Sequence, residues 1–300
     1  MKNILFIYYT QSGQLDEIAK TICNPLVQSN EVSVTFHEIK PQTPFPFPWD
    51  KPSFFGAFPE SFLQIPVSMN PVPKEILDKK YDLVIIGYQV WFLSPSIPIN
   101  SFLKSPAAKE LLHNTPVVTV IGCRNMWVMA HEKIKGLLQA NGAILKGNIA
   151  LVDRAPNLVS VVTIVDWMFS GIKKRHWGIF PLPGVSEKDI QESTQFGEII
   201  LNCLRNNDLD NLQHQLVAKD AVKISPYLVS IDKKASVVFG KWASFIIKKT
   251  TSRAFWLKAF NLYLFLAIWL ISPIVYVLHL LTYAFNVKKY ARESRYYKGI

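Results

Sequence analysis

Cysteine is scarce in this chain. Cys23, Cys123 and Cys203 stand far apart and form no CxxC pair, which excludes a disulfide scaffold and supplies no zinc ligand set. No metal site is expected. The start lacks the basic segment, longer apolar stretch and small-residue cleavage site of a signal peptide: Met1-Lys2-Asn3 runs directly into Ile4-Leu5-Phe6-Ile7. The expectation is that the body of the protein stays in a reducing, cytoplasmic compartment. A nucleophilic cysteine with His or Asn partners is also missing as a constellation, so carbon–carbon condensation has no visible machinery.

Charge is lacking over one long stretch. From Ala259 to Val287 there is none, apart from the neutral His279. Outside that stretch the net charge of +11 is uneven. Residues 241–300 hold ten Lys or Arg and one acid, Glu293, which leaves only +2 for the first 240. A basic excess wrapped around an apolar run points to a membrane surface rather than to nucleic acid. As a helix, this run would reach about 43 Å, enough to cross a ~30 Å hydrocarbon core with tilt. Ser272-Pro273 sits at its midpoint, and basic clusters flank both ends, against a simple positive-inside orientation. Two arrangements stay open: a tilted single span, and a broken helix that dips in and returns on the cytoplasmic side. A soluble core helix is the bland alternative.

What is present elsewhere is an alternation of strands and helices. Residues 3–9 read as a buried strand, Gln14–Gln28 as an amphipathic helix and 32–39 as a second strand. Tyr81–Tyr88, Pro116–Gly122 and Gly147–Asp153 read as further strands, the first two as continuous apolar runs typical of a parallel sheet. Val128–Asn141 and Glu187–Arg205 read as helices, the latter capped by Ser186. The implied fold is a doubly wound α/β sheet of five parallel strands in the order 2-1-3-4-5, with its ligand beyond the carboxyl ends of the strands. The expected organisation is a domain over 1–205, a basic helical linker over 206–258, a membrane segment over 259–287 and a basic tail over 288–300.

Two insertions interrupt the domain. Residues 41–74 hold nine prolines interleaved with aromatics, including Pro44-Phe45-Pro46-Phe47-Pro48-Trp49. Proline fixes φ and removes donors, so the reading is a long loop over the sheet or a lid over a greasy substrate site. Residues 155–180 contain the apolar run Leu158–Phe169, a buried helix or a segment lining substrate or membrane.

Three loops carry candidate chemistry. Thr10, Gln11, Ser12, Gly13, Gln14 and Leu15 lie between the first strand and first helix, where free amides and hydroxyls suit a phosphate monoester or make an ordinary helix cap. After the third strand come Gln89, Val90, Trp91 and Phe92, with aromatic faces for a planar ring. After the fourth come Gly122, Cys123, Arg124, Asn125 and Trp127. Arg124 can balance negative charge, and His131, in the helix that follows, is a proton-donor candidate against a plain capping or surface role.

These loops on five parallel strands resemble the flavodoxin-like FMN proteins, whose phosphate loop reads Ser/Thr-x-Ser/Thr-Gly-x-Thr. Thr10, Ser12 and Gly13 match that pattern, and Leu15 stands where it has a hydroxyl. The resemblance implies FMN as cofactor, with the residues of the three loops as its contacts and Arg124 and His131 as catalytic candidates. Flavodoxin-type electron shuttles are usually markedly acidic, and residues 1–240 are not. A closer resemblance rests on Tyr8–Leu15, Gly122–Leu138, Phe180–Ser186 and the apolar tail. Together they look like the dialkylresorcinol condensing enzyme family of flexirubin and aryl polyene pigment pathways. That resemblance implies an FMN-dependent oxidoreductase that aromatises a lipid-like dialkyl cyclohexane-1,3-dione to a resorcinol. It also implies a ketosynthase partner and anchoring at the cytoplasmic face of the inner membrane. A generic NAD(P)H:quinone reductase and a non-catalytic membrane scaffold are the alternatives, and Leu15 favours the last.

Overall fold

The computed structural model describes residues 1–299. Its sheet holds strands β1 (Lys2–Tyr8), β2 (Val32–Glu38), β3 (Leu83–Trp91), β4 (Ser94–Pro95), β5 (Pro116–Cys123) and β6 (Ile144–Val152). The long strands are all parallel and run β2-β1-β3-β5-β6, while the two-residue β4 pairs antiparallel with β3. Counting the parallel strands alone, this is the flavodoxin-like doubly wound order 2-1-3-4-5. The sixth strand is the departure from the expected five. It exists because the chain reverses at Phe92-Leu93 and lays Ser94 beside Trp91.

Helices cover both faces. On one side pack α1 (Gln14–Gln28), α9 (Glu187–Glu192), α10 (Thr194–Arg205) and α11 (Leu212–Ala218). On the other pack α4 (Lys74–Leu77), α5 (Ile97–Leu103), α6 (Pro106–Leu112) and α7 (Val128–Ala140). Burial on both faces explains why β1, β3 and β5 are apolar without alternation. The helix expected over Glu187–Arg205 is two helices, broken at Ser193, with the Ser186 hydroxyl accepting from the Asp189 amide at 3.1 Å as the start signal requires.

The proline-rich insertion is more regular than the sequence suggested. It contains α2 (Lys51–Gly56) and α3 (Phe58–Phe62), each with its proline in the first turn, where the missing N–H costs nothing. The apolar insertion forms α8 (Asn157–Ser170), of which only Ser160, Thr163 and Trp167 are buried.

The region read as a linker carries α12 (Pro226–Ile246), which packs on α3 and α7 and buries Asp232. The apolar tail is α13 (Arg253–Leu266) and α14 (Ser272–Thr282), joined through a π-helical turn at Ala267–Ile271 into one helix of 30 residues. The helix therefore does not break at Pro273. The wider turn just before it accommodates the proline without ending the helix. By length and composition it is apolar enough to cross a membrane. The basic tail is α15 (Val287–Lys298), folded back onto the domain. Its Tyr297 is buried with the sheet core, and Gln213 donates to the Lys298 carbonyl at 2.6 Å.

Candidate functional site

The loop after β1 is shaped by Gly13, whose φ of +86° is left-handed and favours glycine at this turn. Its amide donates to Thr10 Oγ1 at 3.1 Å. No side chain caps α1, so the first-turn amides and the Ser12 hydroxyl keep their anion-binding capacity. The two glutamines are occupied. Gln11 Nε2 donates to the Pro46 carbonyl at 2.7 Å while its Oε1 accepts from the Tyr9 hydroxyl. Gln14 exchanges two 3.0 Å hydrogen bonds with the Val185 backbone, tying the loop to the turn at Gly184. Leu15 is 2% exposed and packs with Ile18, Val120 and Leu151 in the core. Its side chain faces the sheet, so a hydroxyl there would be buried.

The loop after β3 is a hairpin whose two central residues, Phe92 and Leu93, have φ of +47° and +59°. Two positive φ values suit a tight hairpin but are costly for bulky side chains, a strain that clusters at functional sites. The turn sets Phe92 against Phe54 and Phe58, at 4.8 and 5.3 Å between ring centres. Trp91 is boxed edge-to-face by Tyr9, Phe45 and Trp49 at 6.0, 5.1 and 5.4 Å.

At the end of β5, Gly122 sits over Leu15 and Ile18, where a Cβ would come within 3.1 Å of Leu15. Burial raises the Cys123 thiol well above its usual range, so it stays protonated and unreactive. Arg124 Nη1 donates to the Asn157 carbonyl and Oδ1 at 3.1 and 2.8 Å. Asn125 Nδ2 donates to the same Oδ1 at 3.1 Å, and its own Oδ1 is buried without a partner. Burial lowers the guanidinium pKa, against the pull of Asp153 and Cys123.

Gln11, Ser12, Gln14, Leu15, Gln89, Val90, Trp91, Phe92, Gly122, Cys123 and Arg124 line one cavity of about 840 Å³. Thr10 and Gly13 belong to the same loop without lining it. Asn125 and Trp127 instead line a neighbouring cavity of about 650 Å³ beside α12. His131 is brought to neither. It is buried, its Nδ1 lies 3.1 Å from the Tyr88 hydroxyl, and burial with Lys135 nearby lowers its pKa to about 3. A histidine so held is neutral and serves packing.

Three further parts of the chain reach the site, two of them offered by the sequence only as alternatives, a lid at the proline-rich segment and a substrate-lining run in the apolar insertion. Phe47, Trp49 and Phe54 of the proline-rich segment roof the cavity. The α8 insertion supplies Val161, Val165 and Asp166, and the loop after it supplies His176, whose Nδ1 lies 3.0 Å from Asp166 Oδ2. Asn261, Leu264, Phe265, Ile268 and Trp269 of the apolar tail close the outer wall. The Lys173–Trp177 stretch that holds His176 is a basic and aromatic run. Among the described residues, no cluster of His, Cys, Asp and Glu could hold a metal.

No protein-family model and no curated protein match the chain. Solved structures match it weakly and are flavodoxin-like flavoproteins. A flavoprotein in complex with FMN from Lactobacillus acidophilus is 18% identical, covering 50% of this chain and 93% of that one, with a TM-score of 0.38. An archaeal flavodoxin is 11% identical over 71% of this chain and 99% of its own, at 0.38. Oxidised flavodoxin 1 from Bacillus cereus is 15% identical over 66% and 95%, at 0.36.

Proposed function

We propose that the protein is an FMN-dependent oxidoreductase anchored at a membrane, acting on an alkylated cyclic 1,3-dione and converting it to a resorcinol. One observation carries this reading. An uncapped strand-to-helix loop, an aromatic hairpin, a half-buried arginine, a His–Asp pair and an apolar tail helix all border a single cavity. Its size lies within the range of cofactor and ligand sites.

The residues present fit FMN. Thr10, Ser12, Gly13 and the first-turn amides of α1 suit the phosphate. The aromatic hairpin and Gly122–Arg124 suit the ring. FMN, when bound, supplies a two-electron acceptor. The chain's own residues supply the rest. His176 lies 3.0 Å from Asp166 through Nδ1. That leaves Nε2 to accept a proton from a ring carbon next to a carbonyl, with the carboxylate stabilising the imidazolium. Arg124 offsets the negative charge left on the enolate oxygens. The aromatic roof excludes water and accommodates the ring, and the tail residues accommodate alkyl chains.

The resemblance in the loops and tail supports the dialkyl dione as substrate, produced by a ketosynthase, and placement at the cytoplasmic face of the inner membrane. The feature that favoured a non-catalytic scaffold, Leu15, packs into the core and so does not argue against anion binding. The test is the absorption spectrum of detergent-purified protein with and without added FMN. Flavin absorbance is expected, and its absence after FMN addition refutes the proposal. Turnover of quinones with NAD(P)H, but none of the dione, would assign a quinone reductase instead.

A further inference from the structure

Both ends of the apolar helix are fastened to the same domain. At its start, Arg253 donates to Glu60 at 2.7 Å, and Phe260 stacks on Phe58 at 3.7 Å. Near its middle, the Tyr227 hydroxyl at the start of α12 contacts the Ser272 carbonyl at 3.0 Å, and the Tyr227 ring meets Tyr276 at 4.9 Å. Beyond its end, α15 turns back: Lys233 pairs with Glu293 at 2.8 Å, the Tyr296 hydroxyl bonds Glu132 at 2.9 Å, and Tyr297 enters the core. The helix therefore runs along α12 and does not stand away from the domain. A span would have to carry α15 across ~30 Å of hydrocarbon, which its docked position forbids.

The outward face of this helix is apolar and aromatic. Leu262, Leu270, Ile274, Val277 and Leu281 are all exposed, and Phe265 and Trp269, also exposed, stand at the cavity's outer rim. A second element lies on the other side of the cavity. The loop after α8 exposes Ile172, Trp177 and Ile179, Trp177 by 77%, around the basic run Lys173-Lys174-Arg175. Apolar and aromatic tips among basic residues are the composition of a surface that settles at a lipid interface. The cavity lies between these two elements, bordered by His176 from the loop and by Leu264 and Ile268 from the helix.

We propose that the chain is monotopic. Helix 253–282 and loop 171–182 sink together into one anionic leaflet, and long-alkyl ligands enter the cavity sideways between them. The inference rests on the reading that the apolar helix meets lipid, and it replaces both a crossing helix and a break at Pro273. It also accounts for basic clusters at both ends. Lys248 and Lys249 before the helix and Lys288 and Lys289 after it lie on one side of the membrane, where anionic headgroups attract them.

The experiment adds full-length protein to sealed vesicles of phosphatidylcholine and phosphatidylglycerol. Lys248→Cys, Lys289→Cys and a cysteine appended after residue 300 are each labelled with a membrane-impermeant maleimide, with wild-type labelling as background. The appended cysteine guards against a misfolded variant. The protein is expected to float with the vesicles, and all three cysteines are expected to label equally before and after detergent. Protection of Lys289→Cys and the appended cysteine until detergent is added means a crossing helix and overturns the inference while leaving membrane binding intact. A chain that does not float overturns both. A second arm measures the rate of binding of a long-alkyl dione, delivered in the vesicles, to Ile268→Trp. At least a tenfold slowing is expected, with circular dichroism and vesicle flotation unchanged. An unchanged rate overturns the sideways entry.

Discussion

Replacing His131 by Gln tests whether this histidine is structural. Held neutral in the fold with a pKa of about 3, it titrates near 6.5 when the chain unfolds. A depressed folded pKa contributes stability that is present above the unfolded value and is lost as pH falls toward the folded one. At 1.36 kcal/mol per pH unit of full slope, acidification from about 6.5 to 4.5 removes about 2 kcal/mol, and about 4 kcal/mol if carried to pH 3. Asp232 acts in the opposite sense. Burial raises its pKa to about 7, so protonation from pH 7 down to 4 favours the folded state. The comparison with His131→Gln removes that contribution, because Asp232 is common to both proteins. Denaturant unfolding in detergent at several pH values is the assay. The wild type should lose about 2 kcal/mol more than His131→Gln between pH 6.5 and 4.5, and dione turnover at pH 7.5 should change less than threefold. Parallel pH slopes, or a hundredfold loss of turnover with unchanged folding, would refute the assignment and return His131 to the chemistry.

Three further outcomes follow from the geometry. His176→Gln should lower dione turnover about 10²–10⁴-fold. It should also abolish protein-catalysed deuterium exchange at the slowly exchanging ring carbons without flavin, and retention of that exchange would place the base elsewhere. Leu15→Thr introduces the hydroxyl of the phosphate-loop pattern but should cost about 3 kcal/mol of stability with no gain in FMN affinity by fluorescence titration, because that side chain faces the core. Phe260→Ala removes a fully buried ring stacked on Phe58 and should cost about 3–5 kcal/mol, read as a lower unfolding midpoint in denaturant.

The sheet was legible because its strands are buried on both faces and so read as nearly unbroken apolar runs, as in Leu83–Ile86 and in Val117–Ile121, where Thr119 alone is polar. The loops at its carboxyl ends followed from topology, and eleven of the residues expected there meet in the cavity. What escaped depends on contacts distant in sequence. Nothing local at Asp166 or His176 shows that the chain after Gly171 turns back to bring them within 3.0 Å. Gln14 and Gln11 resemble ligands in a motif, yet their amides satisfy backbone groups at Val185 and Pro46. The α15 segment reads as a solvated basic tail because half of its residues are charged, and its docking rests on Tyr290, Tyr296 and Tyr297.

The two hydrogen bonds between Gln14 and Val185 join positions 171 residues apart. At about 5–20 residues per second on the ribosome, the second partner is made roughly 10–30 s after the first. The loop after β1 is thus among the earliest segments synthesised, but its glutamine waits for the later turn. The outer wall at Leu264–Trp269 is made later still. A nascent chain therefore carries an open, greasy groove until residues 264–269 emerge, and through that interval it is exposed to aggregation.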